Sequence, residues 1–214
     1  SREVLTGCWK SILHIAVPSG LARLIVPIAT GIITGLLAGY GDYAVAAYGI
    51  GTRIEFLAAS ILSGLSASIG PFVGQNFGSG HLGRVKDAVN VSVRFSFIWG
   101  LLAWGILVLF AQPIASVFND NVDVIQTVQW YLWIVPAGFG LQGILSITNS
   151  YLNTIGKPLQ ASMIIVIQTL ILGVPSILLG KHLAGIQGIF IALAFTYVLG
   201  GIISLVVNKR IMGK

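Results

Sequence analysis

The chain has 214 residues, of which 56% are apolar and only 8% are charged, and its formal net charge at pH 7 is +6. Soluble domains carry about 25% charged residues, so this composition excludes an ordinary soluble protein. The Lys and Arg residues are scattered at the ends of apolar segments, which argues against a nucleic-acid partner because such binding needs a basic patch.

Apolar segments of about twenty residues recur six times along the chain, with short polar turns between them. A bilayer core roughly 30 Å thick is crossed by about twenty helical residues. The sequence therefore predicts an all-α integral membrane protein whose six-helix bundle occupies residues 12–207, with a cytoplasmic lead-in at 1–11 and a basic cytoplasmic tail at 208–214. The predicted spans are residues 12–38, 45–72, 88–110, 127–153, 160–180 and 186–207.

Most of the basic residues fall at one end of this predicted bundle. That end holds Arg2, Lys10, Arg84, Lys86, Arg94, Lys157, Lys209, Arg210 and Lys214, and the other end holds Lys181. Positively charged residues are retained in the cytoplasm, so both termini are expected there, with the chain in the cell (inner or plasma) membrane and the lipid bilayer as a partner. Trp130, Tyr131 and Trp133 lie near a span end and are expected at the headgroup boundary.

Glycines recur at every fourth residue on the first two predicted helices. The two stripes are Gly31, Gly35 and Gly39, and Gly70, Gly74 and Gly78. In lipid, small residues at this spacing let helix backbones approach each other closely. Both stripes are therefore expected to pack against neighbouring helices.

Three charged residues lie deep within the predicted spans: Arg23, Arg53 and Glu55. A lone charge in hydrocarbon is costly, so each is a candidate functional residue. For Glu55 two interpretations are open: Arg23 on the preceding helix pairs with it as a structural partner, or Glu55 lies in a cavity and binds and releases protons. Arg53 is two residues from Glu55 and faces another side of the helix, so snorkelling towards the interface or ion pairing is expected rather than substrate contact.

A polar stripe runs along the fourth predicted helix. Gln142, Ser146, Asn149 and Asn153 are spaced so that they share one helix face. Unpaired amides are costly in lipid, so this face must meet other helices or a wet cavity. Interhelical hydrogen bonding and a substrate-lining wall both remain open, whereas the isolated Gln168 and Gln187 are expected to be helix contacts.

Residue patterns for catalysis are lacking in the sequence. His14, His81 and His182 are scattered, and the single cysteine, Cys8, provides neither an internal disulfide nor a multi-thiolate metal site. The glycine-rich segment at 74–80 lacks the lysine of a phosphate-binding loop and ends a helix instead of starting one. The sequence therefore predicts a protein that is not an enzyme and needs no cofactor or metal beyond a coupling H⁺ or Na⁺.

Several segments resemble the multidrug and toxic compound extrusion (MATE) family. The runs AVAAYGIGTRIE (44–55), GLSASIGPFVGQNFGSG (64–80) and RVKDA (84–88) resemble the second helix of a lobe and its following cytoplasmic loop, and YLNTIGKPLQA (151–161) resembles the turn between the fourth and fifth helices. The most specific feature is VGQN followed by Gly-x-Gly at the foot of a spanning helix. The motif residues expected to be structural are Arg53, Gly74, Gln75, Asn76, Gly78 and Gly80.

The resemblance, which covers residues 12–207, carries expectations about architecture. Such transporters have twelve helices in two lobes related by a pseudo-twofold axis along the membrane normal. It implies that this chain is one lobe, and its lead-in at 9–18 looks more like the start of the second, C-terminal one. The expected partner is the missing N-terminal six-helix lobe or a second copy of the chain.

The same resemblance implies export of cationic or amphipathic organic compounds against H⁺ or Na⁺ by alternating access. The expected cavity is lined by Arg23, Glu55 and the polar stripe from Gln142 to Asn153. The family often places cation-binding carboxylates on the first and fourth helices of this lobe, where this chain has Val26 and Gln142. The coupling acid is therefore expected to be Glu55 or a residue of the other lobe.

Two alternative functions also fit the sequence. A flippase for a lipid-linked oligosaccharide, from a related transporter superfamily, would use Arg23 and Arg53 to meet a pyrophosphate group. A non-transporting membrane scaffold would use the polar stripe only to join helices.

Overall fold

The computed structural model describes residues 24–212 together with Trp9, Leu13 and Gly20, and these residues form helices and short turns with no β-strand among them. The helices are α1 (Leu24–Ala38), α2 (Asp42–Gly78), α3 (Leu82–Leu109), α4 (Ala111–Phe118), α5 (Val122–Ile134), α6 (Phe139–Thr154), α7 (Pro158–Val166) and α8 (Val174–Met212). The predicted all-α class is confirmed.

Two of the predicted spans are interrupted helices. A 3₁₀ turn at Val135–Gly138 joins α5 to α6, and it contains Pro136, which lacks the N–H that a regular helix needs. A π-helical turn at Ile167–Gly173 joins α7 to α8. Wider π turns of this kind occur often at functional sites, and this one contains Gln168.

Helix α8 reverses direction within its length. Ala184 has φ −143° and Gly185 has φ +60°, a backbone conformation that favours glycine. Across the reversal Gly180 and Gly188 face each other with their backbones in contact, and a Cβ on Gly180 would lie 3.2 Å from Cβ of Ala192. The stretch Pro158–Ile211 therefore provides two antiparallel crossings.

The length and surface of the helices fit a bilayer. The stretches Asp42–Gly78, Leu82–Leu109, Val122–Thr154 and Pro158–Ile211 are each long and apolar enough to span one. Within the described residues these four stretches give five apolar crossings, because α8 reverses inside Pro158–Ile211, and α1 is a shorter apolar helix. Large apolar side chains such as Phe56 point outward, as expected for a surface in contact with acyl chains.

Helix α6 lies at the centre and packs against α2, α3 and α8. Small residues allow these close contacts, since a Cβ on Gly140 would lie 3.2 Å from Cα of Phe97, and one on Gly143 would lie 2.7 Å from Cδ1 of Leu62. The hydroxyl of Ser96 on α3 donates a hydrogen bond to the carbonyl of Gly140 at 2.8 Å. The central position of α6 brings its polar face inside the bundle.

The two glycine stripes behave differently. On α2, a Cβ at Gly70 would lie 3.4 Å from Oγ of Ser150 and one at Gly74 would lie 3.3 Å from Cγ2 of Thr154, so these two glycines pack against α6 as expected. A Cβ at the exposed Gly78 would meet no described atom within 4 Å. On α1, Gly31 and Gly35 are exposed, and a Cβ at either position would meet no described atom within 4 Å. The α1 stripe differs from the expectation because the opposite, apolar side of this helix, including Leu37, faces the core.

The expected tail at 208–214 begins inside the last helix. Helix α8 continues to Met212, and Asn208 is buried with its Nδ2 donating to Oγ1 of Thr148 at 2.8 Å. The hydrogen bond ties the end of α8 to α6. Of the expected lead-in at 1–11, only Trp9 is among the described residues.

Candidate substrate and ion cavity

A cavity of about 300 Å³ opens between α1, α2, α6 and the two crossings that follow. Its polar lining consists of Thr30, Tyr48, Gln142, Ser146, Asn149, Gln168, Thr169, Thr196 and Tyr197, and the remaining lining residues are apolar or glycine. The described lining carries no formally charged side chain. Such a wall offers hydrogen bonds and apolar contact together, as small-molecule sites do.

Gln168 connects two walls of the cavity. Its side chain is buried, and Nε2 donates to Oε1 of Gln142 on α6 at 2.8 Å and to the carbonyl of Thr196 on α8 at 3.3 Å. The amide fits against Gly200, where a Cβ would lie 2.5 Å from Cδ of Gln168. Gln168 is thus a helix contact, as its isolation suggested, and it also faces the cavity.

Asn149 lines the cavity and carries an unpaired acceptor. Its Oδ1 is buried and has no hydrogen-bond partner among the described residues. A buried polar atom without a partner costs about 1–3 kcal/mol, so such atoms are ordinarily satisfied by water or a ligand. The hydroxyl of the neighbouring Ser146 donates to the carbonyl of Gln142 on its own helix at 3.3 Å.

The polar stripe of α6 contributes only in part to this cavity. Gln142, Ser146 and Asn149 line it, whereas Asn153 does not. Asn153 is exposed near the last residue of α6, and its carbonyl accepts a hydrogen bond from the N–H of Gly156 in the following turn at 3.3 Å. Asn153 therefore does not take part in the described cavity wall.

Glu55 lies on α2 behind the cavity wall, with its side chain partly buried. Both carboxylate oxygens accept a tyrosine hydrogen bond: the hydroxyl of Tyr197 donates to Oε1 at 2.7 Å, and the hydroxyl of Tyr131 donates to Oε2. Hydrogen bonds to an ionised group are each worth about 1.5–3 kcal/mol. Because Tyr197 also lines the cavity, its hydroxyl connects the carboxylate to that space.

Glycines position both tyrosines. A Cβ on Gly51, one helical turn before Glu55, would lie 2.6 Å from Cδ1 of Tyr131, and a Cβ on Gly138 would lie 2.7 Å from Cβ of Tyr197. The ring of Tyr131 also makes an edge contact with Phe190 at a centroid distance of 5.1 Å. Packing therefore fixes the donors before any ligand arrives.

The remaining candidate residues lie elsewhere. Arg23 falls outside the described residues, so its pairing with Glu55 stays a prediction. Arg53 is exposed on α2 and does not line the cavity, whereas Val26 and Gln142 both do. Within the described ranges no group of three or more His, Cys, Asp or Glu side chains is arranged to hold a metal ion.

The motif at 74–80 forms the turn between α2 and α3. Gly78 is the last residue of α2, and Gly80 has φ +77°, a conformation that favours glycine. The Nδ2 of Asn76 donates to the carbonyl of Phe72 at 2.8 Å, and the N–H of Ser79 donates to the carbonyl of Gln75 at 3.1 Å. These bonds satisfy carbonyl groups at the end of α2, which is a structural role.

Sequence reasoning missed the two tyrosine donors. The expectation that Tyr131 lies at the headgroup boundary is wrong, since it is only 1% exposed and belongs to the core. Tyr197 was not singled out. A usable signal was available, because a carboxylate within the membrane needs hydrogen-bond donors and tyrosine is an uncharged one.

Comparison with known proteins identifies the family. The family model for MatE matches residues 18–179. The FAD transporter of Shewanella oneidensis is 34% identical over 203 residues, which cover 95% of this chain and 45% of that protein. The multidrug export protein MepA of Staphylococcus aureus (strain MSSA476) is 25% identical over 193 residues, which cover 88% of this chain and 41% of MepA.

Solved structures agree with the sequence comparisons. The crystal structure of the Vibrio cholerae MATE transporter VcmN in the bent form superposes with a TM-score of 0.91 at 28% identity, covering 97% of this chain and 47% of that one. The chain spans about half the length of the curated relatives it matches. The resemblance seen in the sequence is confirmed, and the chain belongs to the MatE family of membrane transporters.

Proposed function

We propose that this chain is one lobe of a secondary active exporter that moves organic compounds out of the cell by alternating access, in exchange for an inward cation. The observation that carries the proposal is the pairing of a neutral, amide-lined cavity with a tyrosine-bound carboxylate directly behind its wall. A transporter needs both a substrate site and a group that responds to the driving ion, and here one side chain, Tyr197, contacts both.

Glu55 is the proposed coupling group, with H⁺ as the ion. As a carboxylate it accepts from Tyr131 and Tyr197 at once. Once protonated it has an O–H of its own to donate, so one tyrosine hydroxyl must turn and offer its oxygen as an acceptor. A turn of Tyr197 changes the hydrogen bonds available in the cavity, which gives substrate and proton different affinities for the two states, as coupling requires.

The wall of the cavity supports an organic substrate with N–H or O–H donors. Asn149 lines the cavity and its Oδ1 has no hydrogen-bond partner among the described residues, and apolar residues such as Ile177 and Leu193 also line the cavity. Protonated amines and amphipathic drugs combine these two properties. Na⁺ remains an alternative coupling ion, since it is bound by carboxylate and amide oxygens of the same kinds.

A complete path is proposed to require a second six-helix lobe. The chain covers 45% of the FAD transporter and 41% of MepA, so the other half of the cavity would come from a further lobe or a second copy. We place the basic end of the bundle, and both termini, on the cytoplasmic side of the cell membrane, following the distribution of Lys and Arg.

The test is transport of a cationic dye into inverted membrane vesicles from cells expressing the protein. We expect accumulation when an H⁺ or Na⁺ gradient is imposed, and its loss when both gradients are collapsed. Vesicles from cells carrying the empty vector are the control. Accumulation that is insensitive to both gradients would reject the proposal.

A second candidate substrate is a flavin nucleotide. The relative that is 34% identical is an FAD transporter, and the paired amides of Gln142 and Gln168 match the mixed donors and acceptors on the edge of a flavin ring. Measuring uptake of FAD in place of the dye by the same vesicles distinguishes the two candidate substrates. Uptake of FAD without uptake of the dye would favour the nucleotide. Uptake of the dye without uptake of FAD would favour drug export.

A further inference from the structure

Two adjoining grooves open at the basic end of the bundle, away from the central cavity. Their volumes are about 490 Å³ and about 410 Å³, and Lys157 and Ile211 line both. The first also contacts Arg210, and the second also contacts Lys86. Three cationic side chains from three separate elements therefore border these adjoining grooves, which together are called the basic depression.

The walls of these grooves are mainly apolar. Phe77 lies at the end of α2 and Leu82 at the start of α3, whereas Ile155 comes from the α6–α7 turn and Val207 from the end of α8. Apolar walls of this kind make no favourable contact with a free inorganic anion. A ligand that joins an anionic head to a hydrocarbon chain matches both features at once.

We propose that this depression binds an anionic phospholipid, with its phosphate held by Lys157 and Arg210 and assisted by Lys86, and its acyl chain lying along the apolar walls. Lys86 and Arg210 are exposed, so their charged groups are accessible to a lipid phosphate. Asp87 is exposed beside Lys86 but does not line either groove, so no carboxylate faces the site within the described lining.

Lys157 is the fixed member of the group. It is half-buried in the turn after α6, where its N–H donates to the carbonyl of Leu152 at 2.8 Å and the preceding Gly156 has φ +75°. The turn holds the start of this side chain in place between the two grooves. A bound lipid therefore joins the adjacent ends of α2 and α3, the α6–α7 turn and the end of α8, and it stabilises this end of the lobe.

The experiment measures lipid binding to the purified protein in detergent, by native mass spectrometry and by thermal unfolding. Phosphatidylglycerol is compared with phosphatidylcholine of the same acyl chains, and inorganic phosphate is a third probe. The variants are Lys157→Gln with Arg210→Gln, each single change, and Lys209→Gln as the matched control. Lys209 is next to Arg210 and is also exposed, but it lines neither groove.

We expect a preference for phosphatidylglycerol that weakens roughly fivefold for each groove charge removed and about 30-fold in the double variant, at about 1 kcal/mol per basic residue. Lys209→Gln should bind as the unaltered protein does. If the double variant does not fold, the Arg210→Gln variant alone carries the comparison.

Three results would overturn the proposal. Equal binding of phosphatidylcholine would remove the role of charge, and equal loss in Lys209→Gln would indicate a diffuse surface potential instead of a site. Protection by inorganic phosphate equal to that by the lipid would identify a free-anion site. None of these outcomes depends on whether the protein transports a drug, because binding is measured without a gradient.

Discussion

The two tyrosine donors to Glu55 are not equivalent, because only Tyr197 also lines the cavity. We expect Tyr131→Phe to lower the free energy of unfolding by about 1.5–3 kcal/mol, the value of a hydrogen bond to a charged group, with little change in KM for substrate. Tyr197→Phe should change KM as well. Thermal unfolding and vesicle transport of both variants check this, and identical effects of the two would contradict it.

Gly51 provides a steric test of the same site. A methyl group there would lie 2.6 Å from the Tyr131 ring, so Gly51→Ala should displace the ring and cost about 1–3 kcal/mol. Gly49 lies two residues earlier on α2 and has no described atom within 4 Å of a built Cβ. Gly49→Ala should therefore be neutral or raise the stability slightly, as measured by thermal unfolding. Equal stability of the two variants would show that Tyr131 is not held against Gly51.

At the scale of the helices, hydrophobic length predicted the all-α class but not the rotation of each helix. The described parts of the apolar segments are helical, as expected because a bilayer requires internally hydrogen-bonded backbones. The spacing of Gln142, Ser146 and Asn149 identified one face of α6 for the same geometric reason. The bond from Gln168 to Gln142 could not be predicted, since it depends on how two helices and a π turn are rotated in space.

The outward direction of the α1 glycine stripe has a similar cause. Glycine at every fourth position indicates that the glycines share one helix face, but it does not indicate which neighbouring helix covers that face. Within this lobe the apolar side of α1 packs into the core, where Leu37 is fully buried. Gly31 and Gly35 are consequently left on the outside.

The reversal inside α8 rests on two glycines in backbone contact. A methyl group on Gly188 would collide with the carbonyl of Gly180, so Gly188→Ala should lower the free energy of unfolding by about 1–3 kcal/mol. Gly105→Ala on α3 is the control, because a Cβ there meets no described atom within 4 Å. Thermal unfolding in detergent distinguishes them. A fully stable Gly188→Ala protein would mean that α8 does not fold back at this point.

For the whole molecule, the exposed α1 stripe gives a test of the second lobe. If a further lobe or a second copy packs against α1, then Gly35→Leu should leave this lobe folded but reduce transport and association. Gly64→Leu places the same bulk at an exposed position on α2 where a Cβ also meets no described atom within 4 Å, and it should have little effect. Cross-linking and vesicle transport provide the readouts. An unimpaired Gly35→Leu transporter would place the contact elsewhere.

Coupling of the cation to the substrate through Glu55 is tested most directly by comparing two modes of transport in Glu55→Gln. Exchange of labelled for unlabelled substrate across vesicles needs alternating access but no gradient, whereas net accumulation needs coupling. We predict that Glu55→Gln retains exchange and loses gradient-driven accumulation. Accumulation equal to that of the unaltered protein would contradict this role of Glu55.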